Sequence, residues 1–213
     1  MPECVRDLPE RWLYYRDMSD ALGSDELAAI AASSAEIIAG LADQADQIRA
    51  ICNAIVTALS DGRKVLTAGN GGSSAEAMHL AEELVGRYRG NRDPLPGLAL
   101  PADSTALTCI ANDFGYEHVF SRQIQALGCP GDVLILFSTS GRGANLVNAA
   151  TAARNAGLLT ICLLGRDGGN LAAAADHALI VKADDTARIQ EAHQVILHMI
   201  LESVEQVFTP ESS

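Results

Sequence analysis

The fold is decided by the stretch Val65-Leu-Thr-Ala-Gly-Asn-Gly-Gly-Ser-Ser-Ala-Glu-Ala-Met-His-Leu-Ala-Glu-Glu-Leu-Val85. Its first residues are apolar and partly β-branched, which predicts a buried strand. A glycine-rich turn follows, and the rest has the spacing of an amphipathic helix. A strand, a tight turn and a helix in this order are typical of the units that build a parallel sheet.

The turn, Gly69-Asn70-Gly71-Gly72-Ser73, is a candidate anion site. Its glycines can adopt positive φ and bring the backbone close to a ligand. Ser73 is predicted to open the helix, where free N–H groups and the positive end of the helix dipole favour phosphate. The same kind of turn also joins a strand to a helix without any ligand. On its own, the turn therefore leaves both interpretations open.

The helix after the turn carries His79 and Glu83, four residues apart. At this spacing the two side chains lie about 40° apart on one face, so they can contact one ion or one substrate atom. A carboxylate beside an imidazole can move protons at neutral pH or bind a divalent metal. A single helical histidine is more often a core or solvent-facing residue, and we assign that interpretation to His118, His177 and His193.

The composition predicts a single α/β domain without a nucleic-acid partner. Of 213 residues, 48% are hydrophobic and only 4% aromatic, which suits helices packed on a parallel sheet. The formal net charge of −12 disfavours both a nucleic-acid groove and an anionic membrane surface, since either needs a basic stripe. Any bound phosphate is therefore expected to be small and locally held.

Cysteine usage and the chain's beginning predict a cytoplasmic protein. The five cysteines are scattered and contain no Cys-x-x-Cys pair, so neither a disulfide framework nor a thiolate zinc site is indicated. The first twenty residues lack the apolar core of a signal peptide, and no later run is long enough for a membrane span. A reducing compartment fits this pattern best.

The whole chain alternates between strand and helix patterns. After an N-terminal segment, residues 1–23, a domain is predicted over residues 24–208, with a helical pair at 24–60, an α/β core at 64–208 and a tail at 209–213. Alternation implies right-handed crossovers and a five-stranded parallel sheet covered on both faces, with ligands at the carboxyl ends of the strands. The predicted strands are 65–68, 98–100, 133–137, 160–164 and 178–181; the predicted helices are 24–41, 45–59, 75–85, 104–111, 117–127, 145–156, 170–175 and 188–207.

A second phosphate-type loop follows the third predicted strand. Ser138, Thr139 and Ser140 precede Gly141 shortly before a helix. Three hydroxyls at a helix start can donate to a phosphate without a lysine, and the Gly-Lys-Ser/Thr ending of a Walker A loop is absent. Because both loops fall at the same end of the predicted sheet, together they indicate a phosphate site more strongly than either does alone.

Several segments in order resemble one family. They are Gly69-Asn-Gly-Gly-Ser73, Met78-His-Leu-Ala-Glu-Glu-Leu84, Asn112-Asp-Phe-Gly-Tyr116, Ser138-Thr-Ser-Gly141 and Arg188-Ile-Gln-Glu-Ala-His193 through His198. Over residues 24–208 the chain resembles the phosphoheptose isomerases of the sugar isomerase (SIS) superfamily. The resemblance implies a three-layer, flavodoxin-like fold and a homotetramer with one Zn²⁺ per subunit. It also implies conversion of D-sedoheptulose 7-phosphate to D-glycero-D-manno-heptose 7-phosphate.

The resemblance also implies roles for individual residues. Glu83 would be the base that moves the proton between C1 and C2, and His198 its acid/base partner. Where the family commonly has a serine, this chain has Gly143, which puts phosphate affinity and substrate choice in question. The implied zinc ligands are His79, Glu83, Gln190 and His198; the implied sugar and phosphate contacts are Asn70, Gly71, Gly72, Ser73, Glu83, Asn112, Asp113, Ser138, Thr139, Ser140 and Gln190.

Helix geometry adds an expectation about assembly. Asp184, Asp185 and Thr186 are predicted to cap the last helix, which places Gln190 and His198 within it, eight residues apart. That spacing is about 12 Å along the axis, too far for both side chains to converge easily on one ion. We therefore expect active sites at subunit interfaces, with one of the two residues donated by a neighbouring chain.

Two other functions compete with the isomerase. A non-catalytic SIS protein, such as a phosphosugar-binding regulator or the paralogue that associates with the replication initiator, needs both loops but not the His79, Glu83, Gln190 and His198 set. The presence of all four favours an enzyme. A nucleotide-binding oxidoreductase is disfavoured, because the first loop lacks the third small residue and no acidic residue follows at the required distance.

Overall fold

The computed structural model describes residues 21–210, so the predicted N-terminal segment and tail lie largely outside it. By its contacts the chain divides into two units, residues 1–33 and residues 34–213, and the helix α1 begins in the first. The elements in chain order are α1 Ser24–Ala39, α2 Ala45–Ser60, β1 Val65–Gly69, α3 Gly72–Val85, β2 Gly97–Ala99, α4 Ser104–Phe114, α5 Ser121–Leu127, β3 Val133–Ser138, α6 Ala144–Asn155, β4 Leu159–Gly165, α7 Gly169–Ala172, β5 His177–Val181 and α8 Thr186–Phe208.

The five strands form one parallel sheet in the order β2-β1-β3-β4-β5, which confirms the predicted α/β class. From β1 the chain continues to β2, which pairs with one edge of β1. It then crosses back to β3, which pairs with the other edge of β1. In open sheets of this order, ligands bind where the direction of winding changes, outside the carboxyl ends of the strands. Here that point lies between Gly69 and Phe137, which are paired in the register of β1 and β3.

Helices cover both faces of the sheet. Strand side chains alternate between faces, so Val133, Ile135 and Phe137 pack toward α2, α3 and α8. Leu134 and Leu136 pack toward α5, α6 and α7. Burial on both faces explains why the sequences of these strands are nearly continuous runs of apolar residues. Among residues 21–210, no helix is both long enough and apolar enough to cross a membrane.

The predicted helix over residues 117–127 is split in the structure. Residues Tyr116–His118 form a 3₁₀ turn, and α5 begins only at Ser121. The Ser121 hydroxyl donates to the carbonyl of His118 at 3.3 Å, and such local side-chain bonds compete with a continuous helical ladder. The predicted helix near residue 170 is likewise a single turn, Gly169–Ala172.

Arg92 links the C-terminal end of α3 to α8 through hydrogen bonds. Its side chain is buried, and its guanidinium donates to the carbonyls of Glu83 at 2.7 Å and Leu84 at 3.0 Å. The last carbonyls of a helix have no partners within it, and a cation there also complements the dipole. The Arg92 Nε donates to Glu205 of α8 at 2.9 Å.

The carboxylate of Glu205 is stabilised in its charged form. Burial works to raise the pKa of Glu205, but the N–H of Gly90 and the guanidinium of Arg92 outweigh it, so the pKa is lowered from its ordinary value of 4.5. A lowered pKa means that the contribution to stability is present above that ordinary value. It is lost as the pH falls through the lower pKa of the folded protein.

We expect Arg92→Met to lower the free energy of unfolding by about 3 kcal/mol, because the partly buried Glu205 carboxylate loses its only cationic partner among the described residues and the carbonyls of Glu83 and Leu84 lose the guanidinium hydrogen bonds. Urea unfolding at pH 7 measures the loss. The matched control is Arg89→Met, whose partner Glu202 is exposed, and it should cost less than about 1 kcal/mol. The cost of Arg92→Met should shrink below about pH 4.5. Equal, small losses in both variants would contradict this role for Arg92.

Candidate active site

A cleft of about 240 Å³ opens at the point where the winding of the sheet changes direction. The two loops predicted from sequence meet there, one after β1 and one after β3, and the start of α8 closes one side. The structure thus brings most of the predicted phosphate contacts together in one place. The lining residues are Asn70, Gly72, Ser73, Phe137, Ser138, Thr139, Ser140, Gly143, Thr186 and Gln190.

The first loop needs its glycines for two separate reasons. Gly71 has φ +58°, a conformation that disfavours a side chain. Gly72, where α3 begins, faces the amide of Gln190 so closely that a Cβ would lie 2.3 Å from Nε2. Gln190 is therefore held over the backbone of the loop, at the positive end of α3, and belongs to the cleft.

The second loop is fixed by its own backbone. The N–H of Gly141 donates to the Ser138 hydroxyl oxygen at 3.0 Å, and that hydroxyl can still donate its hydrogen to a ligand. Gly141 has φ +62°, and a Cβ on it would lie 1.9 Å from the carbonyl oxygen of Gly168. The backbone of this loop is therefore held in one conformation, and it presents the hydroxyls of residues 138–140.

An amide pair joins the first loop to the start of α6. Asn70 and Asn145 exchange two hydrogen bonds of 2.9 and 2.8 Å, and the Tyr116 hydroxyl donates to the Asn70 amide oxygen at 2.9 Å. A Cβ on Gly143 would lie 3.1 Å from the Asn145 oxygen and 3.2 Å from the Asn70 nitrogen. A serine at position 143 would therefore crowd this pair. The sequence analysis singled out neither Asn145 nor a role for Tyr116, because nothing local marks their contacts with Asn70.

Asn112 and Asp113 are not among the residues that line the cleft. Both are exposed in the last turns of α4, where the Asn112 amide donates to the Asp113 carboxylate at 2.8 Å. Their implied role in holding the sugar stays a prediction.

A second group of polar side chains lies further along α3. The His79 Nε2 and the Glu83 Oε1 are 3.5 Å apart, and both side chains are partly buried. The His198 ring on α8 lies edge-on to His79, with 5.5 Å between ring centroids, and Tyr88 stacks on His198. Three of the four implied zinc ligands therefore lie together in one chain, while Gln190 lies at the cleft.

The residue between the two histidines is Gln194, which the sequence analysis did not select. Its Nε2 lies 2.5 Å from the His79 Nδ1 and 3.3 Å from the His198 Nε2. Position 194 is four residues from both Gln190 and His198 and so shares their helix face. That spacing is the signal that could have identified it.

The donors around His79 suit a divalent metal. One atom each from His79, Glu82 and Glu83 lie within 4.8 Å of one another among residues 21–210. Imidazole nitrogen and carboxylate oxygen are ligands that zinc accepts. The arrangement therefore fits the implied ion at His79 and Glu83, while Gln190 lines the cleft and the His198 ring lies edge-on to His79.

His193 is a core residue, as predicted. It is fully buried, and its Nε2 donates to the carbonyl of Leu164 at 3.1 Å. Its Nδ1 lies 3.8 Å from the buried carboxylate of Glu76 on α3. This contact lies between the first half of α3 and α8, and neither the Glu76 carboxylate nor the His193 Nδ1 has a hydrogen-bond partner among the described residues.

Comparisons with known proteins agree with this geometry. The family model described as "SIS domain" matches residues 30–165. The phosphoheptose isomerase of Paramagnetospirillum magneticum is 51% identical over 160 residues, which cover 75% of this chain and 83% of that protein. The solved phosphoheptose isomerase of Neisseria gonorrhoeae is 38% identical with a TM-score of 0.81, covering 86% of this chain and 98% of that one. The solved phosphoheptose isomerase of Francisella tularensis is 32% identical with a TM-score of 0.83, and the match covers 87% of this chain and 100% of that one. The chain therefore belongs to the SIS-domain family and, within it, to the phosphoheptose isomerases.

Proposed function

We propose that the protein converts D-sedoheptulose 7-phosphate to D-glycero-D-manno-heptose 7-phosphate, the first step of ADP/GDP-heptose biosynthesis. The observation that carries this proposal is that one helix, α3, begins at the phosphate-type cleft and carries the His79 and Glu83 pair further along. A sugar phosphate can therefore have its anion at the start of the helix and its reacting carbons beside Glu83.

The distance along α3 matches a heptose phosphate. Ser73 and Glu83 are ten residues apart, or about 15 Å along the axis. Helical side chains lean toward the N-terminus, which brings the Glu83 carboxylate a few ångströms closer to the cleft. A seven-carbon chain with its terminal phosphate is about 10 Å long when extended, at roughly 1.25 Å per bond. A three-carbon sugar phosphate would be too short to contact both places.

The reaction needs one proton moved between neighbouring carbons. The Glu83 carboxylate takes the proton from C1 of the ketose and returns it to C2, and its partial burial reduces competition from water. His198 donates a proton to the oxygen on C2 and accepts one from the oxygen on C1. The Ser73 and Ser138–Ser140 hydroxyls hold the phosphate, which keeps C1 and C2 beside Glu83.

We further propose one Zn²⁺ per subunit, held by His79 and Glu83. Gln190 and His198 are eight residues apart on α8 and do not converge easily on one ion, so we assign one of these two implied ligands to a neighbouring subunit. Zinc at this position would supply a positive charge that stabilises the enediolate oxygens.

We also propose that the protein is a homotetramer in the cytoplasm. Leu27 and Ile30 of α1 and Val207 of α8 are exposed apolar residues, which supports association between chains. The four cysteines among the described residues are free thiols, which supports a reducing compartment. A phosphosugar-binding regulator is less favoured, because it would need the cleft but not the His79 and Glu83 pair.

The direct test is an isomerisation assay on purified protein with sedoheptulose 7-phosphate and with unphosphorylated sedoheptulose. We expect turnover of the phosphorylated sugar and a lower kcat/KM for the unphosphorylated one by about a hundredfold or more, because the cleft loses its charge-assisted hydrogen bonds to the anion. NMR of the product follows both reactions. Equal turnover of the two sugars would show that the cleft does not hold a phosphate.

Glu83→Gln should lower kcat by at least about a hundredfold while the protein stays folded, since the amide keeps the shape of the side chain but cannot accept the proton. Urea unfolding checks the fold. Glu202→Gln, at an exposed site on α8, is the matched control and should keep wild-type kcat. A Glu83→Gln protein with more than about a tenth of the wild-type rate would remove the base role from this residue.

Chelation should remove a divalent ion together with activity, and added zinc should restore both, because the developing charge on the enediolate then loses and regains its counter-charge. His79→Ala should retain less zinc after dialysis than the wild type. Metal content by mass spectrometry and turnover are measured on the same samples. Full activity in metal-free protein would leave His79 with a structural or purely protonic role.

Mixed oligomers test the shared site. Co-refolded Glu83→Gln and His198→Ala subunits should recover part of the activity that neither has alone, because some interfaces would receive both intact residues. Native mass spectrometry confirms that mixed oligomers have formed. If mixed oligomers form but no activity returns, Glu83 and His198 act within one chain.

A further inference from the structure

Gln194 occupies a position between two histidines that the proposed reaction uses. Its side chain is partly buried, and its amide nitrogen is within contact distance of one nitrogen on each ring: 2.5 Å from the His79 Nδ1 and 3.3 Å from the His198 Nε2. A carboxamide NH₂ has two hydrogens to donate. One side chain can therefore satisfy both imidazoles at once.

With the Gln194 amide nitrogen toward both rings, the places of the ring hydrogens follow from these contacts. A nitrogen that accepts from Gln194 carries no hydrogen, so a neutral His79 has its hydrogen on Nε2 and a neutral His198 has its hydrogen on Nδ1. The His79 Nε2 is the nitrogen that faces the Glu83 carboxylate at 3.5 Å. In this arrangement His79 presents a hydrogen, and not a lone pair, toward Glu83.

Metal binding at Nε2 requires the opposite arrangement. An imidazole binds a metal through a nitrogen without hydrogen, and its other nitrogen then donates to an acceptor that fixes the ring. For His79 the hydrogen must move to Nδ1, which faces Gln194. A carboxamide can accept there through its oxygen after rotating by half a turn, whereas an apolar side chain could not.

We propose that Gln194 is a positioning residue that sets the tautomer of His79, donating to Nδ1 when the His79 and Glu83 pair holds no metal and accepting from it when the metal is bound. This rests on the proposed zinc site. The same rotation turns the amide oxygen toward the His198 Nε2, which then donates in its turn. Gln194 thereby couples metal loading at His79 to the presence of a hydrogen on the His198 Nε2.

A competing arrangement makes the opposite prediction. If the Gln194 amide merely filled space that the ion needs, removing it would strengthen metal binding. If it were only a packing residue, the ring hydrogens of His79 would not depend on it. Substitutions that keep the size of position 194 while changing its hydrogen-bonding capacity separate these arrangements.

The first measurement is zinc affinity, by competition with a chelator, for the wild type, Gln194→Glu and Gln194→Met. Loss of an outer-shell partner typically lowers metal affinity about 10–100-fold, so Gln194→Met should bind zinc more weakly by that factor. Gln194→Glu, which accepts but cannot donate when ionised, should bind at least as tightly as the wild type. Gln206→Met, at an exposed position of the same helix, should leave the affinity unchanged. Equal or tighter binding by Gln194→Met would overturn the proposal.

The second measurement needs neither metal nor turnover. In ¹⁵N NMR of the imidazole rings above pH 8, where histidine is neutral, metal-free wild-type protein should show the His79 hydrogen on Nε2, and zinc should move it to Nδ1. In Gln194→Glu the hydrogen should already lie on Nδ1 without zinc. A His79 hydrogen on Nδ1 in metal-free wild type would overturn the proposal even if the enzyme proves active. The expected tautomer in a protein that fails to isomerise heptose phosphate would instead count against the proposed function alone.

Discussion

The packing of α3 against α8 is the interaction on which the site depends. At its start, α3 begins beneath the Gln190 amide, so a Cβ at position 72 would displace that side chain. In its first half, the buried Glu76 carboxylate lies 3.8 Å from His193 of α8. At its end, Arg92 links the carbonyls of Glu83 and Leu84 to Glu205. With both ends held, the side chains between them keep a fixed distance from the cleft.

A helix held in this way serves two purposes at once. Its free N–H groups and positive dipole end lie at the carboxyl ends of β1 and β3, which is the usual ligand position in a sheet of this order. One face of the same helix carries His79 and Glu83 further along, and Glu83 is the proposed base. Under the proposed function, the spacing between the anion site and the base is set by a rigid element, which positions groups more accurately than two flexible loops could.

Local pattern predicted the fold well, because strands buried on both faces and helices with one apolar face leave strong signals in sequence. It also located both loops and the His79 and Glu83 pair. Contacts between distant segments could not be read in this way: Asn145 and Tyr116 contact Asn70 only because the sheet order places their loops together. Gln194 was missed for a similar reason, since its partner on α3 is 115 residues away. The predicted helix near Ser121 is split in the structure, where the Ser121 hydroxyl donates to the carbonyl of His118.

The central claim is that one sugar phosphate spans the distance from the cleft to Glu83. A crystal structure of the Glu83→Gln protein with sedoheptulose 7-phosphate tests it most directly. We expect phosphate oxygens within hydrogen-bond distance of Ser73 and the hydroxyls of residues 138–140, with C1 and C2 in contact with the side chain at position 83 of the same chain. A phosphate bound elsewhere, or reacting carbons that do not contact position 83 of the same chain, would contradict it.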